Sequence, residues 1–289
     1  MHYIKNKKEM RLKLTYIAIC TVTLFVIFVS MTRTATAIQI SSKRIALTPD
    51  HPQYELGIIN NSGQEQTYTL QWAYYEMQES GRLIKLEDRN TNQNIKWADD
   101  IITLEHTHVT LSPNEERNIT LSLNEIKPEL SGEYRAHLWI YTHPEFPTDY
   151  RQHTSTQLSF LTGLVIPVFA RFPKTTQTTN KIDNISLSNP EGDDPSQKTL
   201  NLKFSIYQTG DYSTYGNIDI SCTRQKKDTL IKTMYGFAIY PEIKKRDFKT
   251  TLNLTSAQYK NCHDIKLQYI DSKSHSTFAT ASTSLRVLK

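Results

Sequence analysis

Apolar residues recur at every second position, in one short segment after another, along most of this 289-residue chain. Tyr54, Leu56 and Ile58 share one parity. So do Tyr68, Leu70, Trp72 and Tyr74, then Ile119, Leu121 and Leu123, then Tyr134, Ala136, Leu138 and Ile140. Side chains alternate between the two faces of a strand, so this period of two predicts strands with one apolar face. Turn-forming clusters such as "NNSG" and "SPNE" punctuate them. Short, regularly spaced strands of this kind predict a β-sandwich. "SGEYR" (Ser131 to Arg135) resembles a tyrosine corner.

After Arg171 the composition becomes polar, with Pro190, Gly192 and Pro195 in "KTTQTTNKIDNISLSNPEGDDPSQK". One short strand, "KIDNISLS", is expected inside it. Alternation then resumes in "LNLKFSIYQTG", "YGNIDISCT", "TMYGFAIYPE", "FKTTLNL", "DIKLQYID" and "STSLRVLK". The pattern predicts a second sandwich, as does a length near twice the ~150 residues of an average domain. The expected division is 1–37, 38–173 and 174–289. A cleft between the two sandwiches is the natural binding place.

Residues 1–37 read as a secretory signal peptide. They comprise a basic start, an apolar core from Leu14 to Ser30, and the small-x-small site Ala35-Thr36-Ala37, with cleavage after Ala37. The alternative is an uncleaved N-terminal anchor. The chain has 34 Lys and Arg against 29 Asp and Glu; six of the former and one of the latter lie in this segment, leaving 28 of each. The basic excess belongs to the leader, so the rest carries no footprint for nucleic acid or an anionic surface. Of three cysteines, Cys20 lies in the leader. Cys222 and Cys262 remain, and in an exported chain they are expected to form a disulfide.

No nucleophile elbow, phosphate-binding loop, zinc-protease signature or dinucleotide turn is present. His106 and His108 lack a third ligand at metal spacing and read as surface histidines. His137 alternates with Arg135 and Trp139 opposite the apolar parity, and reads as part of a polar sheet face. The chain is expected to be no enzyme and to need no cofactor, metal or small-molecule substrate.

"LTGLVIPVFARFP", from Leu161 to Pro173, is apolar on both parities and carries Pro167 in its middle. Proline cannot donate to a sheet ladder, so this segment predicts an edge strand. An apolar edge requires a cover.

These stretches, taken together, resemble the periplasmic pilus-assembly chaperones of the chaperone–usher pathway. "IQISSKRIAL" looks like that family's first strand, with Arg44 at the family's arginine. "LSPNEERNITLSL", "GEYRAHLWI" and "GLVIPVFARF" follow in the family's order; "YQTGDYSTYGNIDI" and "YGFAIYPE" resemble parts of its second domain. The resemblance implies two immunoglobulin-like β-sandwich domains in an L-shaped arrangement. It implies a holdase that lends a strand to the unfinished sandwich of a pilin or fimbrial subunit and delivers the subunit to an outer-membrane usher. Such β-augmentation takes affinity from main-chain bonds and specificity from alternate side chains. The implied donor side chains are Leu158, Phe160, Leu164, Ile166 and Val168, with Leu161, Val165 and Phe169 packing inward; the register is open by one residue. The resemblance also implies a basic anchor for the subunit's C-terminal carboxylate. Arg44 is its first member. Pro167 stands where the family has a lysine, so Arg135, Arg171 or Lys174 is expected to supply the second. A self-capping dimer would be one cover for the edge in the free protein. The competing readings are an exported two-sandwich surface or adhesive protein without chaperone activity, and an exported enzyme with a triad dispersed in sequence.

Overall fold

The computed structural model describes residues 38–124, 126–142, 163–173, 177–189 and 197–285. The expected signal segment 1–37, Leu158, Phe160, Leu161 and Lys174 lie outside them. In chain order the first strands are β1 (Ile38–Ile40), β2 (Ile45–Leu47), β3 (Gln53–Asn60), β4 (Gln66–Ala73), β5 (Tyr75–Met77), β6 (Leu83–Lys85), β7 (Ile102–Leu104), β8 (His108–Leu111), β9 (Glu116–Leu123), β10 (Glu133–Thr142) and β11 (Gly163–Arg171). They form one sheet in the order β1-β3-β9-β7 and another in the order β2-β11-β10-β4-β8, while among the described residues β5 and β6 pair only with each other.

The alternation explains the packing between these two sheets. Leu56 and Ile58 of β3 and Ile119 and Leu121 of β9 meet Ala136, Leu138 and Ile140 of β10 in one core, all fully buried. Each large aliphatic side chain so buried stabilises by about 1.5–3 kcal/mol. Tyr134 packs its ring edge-on against Phe172. Among the described residues its hydroxyl has no backbone acceptor, so the expected tyrosine corner is not formed.

The second group is β12 (Thr179–Ser188), β13 (Gln197–Thr209), β14 (Thr214–Arg224), β15 (Lys227–Ile239), β16 (Lys245–Thr255), β17 (Asp264–Asp271) and β18 (Thr277–Ser284). Its sheets run β12-β13-β16 and β15-β14-β17-β18. Leu200, Leu202, Phe204, Ile218, Ile220, Ile265 and Leu267 form a separate core between them. The strand expected in the polar stretch is β12. A one-turn helix, α1 (Ser256–Asn261), is closed by a capping box between Thr255 and Gln258. Cys222 of β14 is joined to Cys262 just after that helix.

Candidate functional site: an arginine-lined cleft beside a half-open strand

β11 pairs with β10 along its whole length, from Gly163 opposite Tyr141 to Arg171 opposite Glu133. On its other side only Val168, Phe169 and Ala170 are paired, in parallel, with Ile45, Ala46 and Leu47 of β2. The strand is therefore not an edge throughout, as the sequence suggested. Among the described residues its outer side is open from Gly163 to Pro167. Pro167 stands where the β2 pairing has not yet begun, so its missing N–H leaves no partner of β2 unbonded. Gly163 allows a close approach, since a Cβ there would sit 2.8 Å from the Ile140 carbonyl oxygen.

The β10 register decides which side chains face inward. Leu164, Ile166 and Val168 lie opposite Ile140, Leu138 and Ala136. Ile166 and Val168 are buried in the first core and Leu164 is half-buried. This is the reverse of the expected parity: in this structure these side chains fill the chain's own sandwich. The outward parity holds Val165, 41% exposed, then Pro167 and Phe169. Phe169 is nonetheless fully buried, because the second sandwich covers that end of the strand.

Where the sandwiches meet, the arginines divide into two groups. Arg44, just before β2, lines a cleft of about 570 Å³ with Arg171, Tyr54, Tyr212, Ser213, Tyr215 and Lys273. Its guanidinium lies 3.9 Å from the centre of the Phe169 ring, and its Nη2 donates to Ser213 Oγ at 2.9 Å. Burial pulls its pKa below the ordinary arginine value, against Tyr240 and Glu133, which raise it. Among the described residues it has no carboxylate within ion-pair distance. Arg171 has one: its Nε donates to Glu133 Oε2 at 2.9 Å, and Glu133 also accepts from the Ser213 hydroxyl at 2.8 Å.

Arg135 is not in this cleft. It forms a two-pronged pair with Glu242, Nη1 to Oε2 and Nη2 to Oε1, both 2.8 Å, and its Nη2 also reaches the Tyr75 carbonyl. The structure thus brings Arg44 and Arg171 together and separates Arg135, which is committed to an ion pair within the chain. Ser213, which lines the cleft, and Glu133 and Glu242, which hold Arg171 and Arg135, were not legible in the sequence; no local motif marks them.

His137 is another correction. It lies on the face opposite the apolar parity, but that face is not solvated here. The ring is 1% exposed, edge-on to Tyr75 at 4.9 Å and tilted against Tyr240 at 6.3 Å. Burial, then the charges of Arg135 and Arg44, push its pKa down to about 3. His106 and His108 are exposed, as expected.

No family model and no curated protein matches the chain. Solved structures do. A chaperone–tip adhesin complex of CFA/I fimbriae biogenesis matches at 13% identity and a TM-score of 0.44, over 86% of this chain and 98% of that one. The class 5 fimbriae chaperone CfaA matches at 12% identity and 0.45, over 86% and 98%. The CsuC–CsuE chaperone–tip adhesion subunit complex of Acinetobacter baumannii matches at 10% identity and 0.45, over 85% and 97%. The chain is similar to fimbrial chaperones.

Proposed function

We propose that this chain is an exported, periplasmic chaperone that holds fimbrial subunits by donor-strand complementation and passes them to an outer-membrane usher. The observation that carries the reading is the half-open β11. Its main-chain groups from Gly163 to Pro167 have no strand on their outer side among the described residues, and Val165 stands exposed beside them. An open apolar edge is a template for a further strand. Arg44 supports the same reading. It is a partly desolvated cation with no carboxylate in ion-pair range among the described residues, which is what an incoming chain-terminal carboxylate needs, and charge-assisted pairs of this kind are the strong ones. Arg171, in the same cleft, would be its neighbour once Glu133 shares it. In this reading the chain does no catalysis.

The test is co-expression in the periplasm with a fimbrial subunit, followed by purification on a tag carried by this chain. The subunit should co-purify with the unsubstituted chain. Arg44→Ala should lose it while the far-ultraviolet circular dichroism and melting temperature hold. Capture that survives Arg44→Ala removes the anchor from the reading, and failure of the unsubstituted chain to capture any subunit removes the chaperone role.

A further inference from the structure

Between β4 and β7 the chain leaves the first sandwich. Among the described residues β5 and β6 pair only with each other, Tyr75 opposite Lys85 and Met77 opposite Leu83. A lone two-stranded hairpin is marginal in water. What holds this one belongs largely to the second sandwich. Met77 is 6% exposed and sits in the second core cluster, not the first. Its N–H donates to Glu242 Oε1 at 3.0 Å. At the tip, the Glu79 carbonyl accepts from the Asp247 N–H at 2.8 Å, and the Glu79 carboxylate meets Lys245 at 2.9 Å. Asp247 lies on β16, the edge of its three-stranded sheet, so the tip covers part of an edge. Gly81, with φ +80°, lies against the Arg246 guanidinium, which occupies the place a Cβ would need. Arg246 in turn lies over the Phe237 and Phe248 rings at 5.2 and 5.1 Å.

We infer that the β5–β6 hairpin is an interdomain strap, a segment of the first sandwich that completes the second and holds the two in one relative position. The strap shares Glu242 with Arg135, since Glu242 Oε1 accepts from both the Met77 N–H and Arg135 Nη2. The inference is independent of the chaperone reading, because it concerns only contacts within the chain.

Amide hydrogen exchange on the full chain tests it. The Asp247 amide should be protected in the unsubstituted protein. Met77→Ala should raise its exchange at least about tenfold, as removal of a buried methionine from a locally opening element predicts, and Met77→Leu should restore protection. Gly81→Val should open the tip by a second route, through strain and collision with Arg246. Amides of Ile220 and Leu267 report on the second core. If they keep their protection, the opening is local to the strap; if they lose it, a first-sandwich residue is supporting the second, which also bears the inference out. An Asp247 amide that exchanges freely in the unsubstituted protein overturns it. So does protection unmoved by both Met77→Ala and Gly81→Val.

Discussion

Arg135 and Glu242 face each other across the sandwich boundary as a two-pronged ion pair, with side chains 3% and 6% exposed. The energetics of such a pair are asymmetric. Its net worth against two apolar residues is small, because desolving both charges costs about what their attraction returns. Removing one partner leaves a buried charge uncompensated. Glu242→Ala should therefore destabilise the chain by about 3–5 kcal/mol, and the double change Arg135→Met with Glu242→Leu by much less. Denaturant unfolding of the two variants checks this; equal losses for the single and the double change would refute it.

Cys222 and Cys262 are 40 residues apart in sequence and join β14 to the end of α1, with Cα atoms 5.4 Å apart. A cross-link of that span restricts the unfolded chain and typically contributes about 2–4 kcal/mol. Changing both cysteines to serine should lower stability by that amount, and reductant should then have no further effect on the melting temperature. If reductant still lowers the melting point of the double variant, the stabilisation lies elsewhere.

The strands were legible because their periodicity is local. Leu56, Ile119 and Leu138 announce their face by their own neighbours, and each is fully buried. β11 was not, because Val165 and Phe169 on one parity are as apolar as Ile166 and Val168 on the other. Only the register against β10, Leu138 opposite Ile166, separates them. The cleft was half legible. Arg44 stood out through a family resemblance, whereas the counter-ion that removes Arg135 from candidacy lies 107 residues away along the chain. His137 shows the same limit. Alternation gave its face correctly, but Tyr240, from the second sandwich, buries that face.

His137 gives the molecule a pH dependence whose sign follows from its burial. The unfolded chain takes up a proton near pH 6.5, while the folded ring, facing Arg135, Arg44, Tyr75 and Tyr240, does so only at about 3. Its contribution to stability is thus complete above pH 6.5 and is lost as pH falls through that window, at up to about 1.4 kcal/mol per pH unit. His137→Phe keeps a ring between the two tyrosines and removes the titration. Unfolding measured at pH 7, 5.5 and 4 should show a shallower decline for the variant. Parallel declines would assign the acid sensitivity to other groups.

The reversed parity of β11 changes which substitution separates folding from capture. A charge at Ile166, 4% exposed and packed in the first core, would be buried without a partner, so Ile166→Asp should unfold the first sandwich before any question of binding arises. Val165, opposite Trp139 and 41% exposed, can carry a charge in solvent. Val165→Asp should leave the melting temperature within about 2 °C, since surface changes are usually within ±0.5 kcal/mol. It should still abolish subunit co-purification, because a docked strand would bury the new carboxylate against an apolar groove. Capture at the unsubstituted level by a folded Val165→Asp chain would mean that the outward face of β11 is not what the subunit takes up.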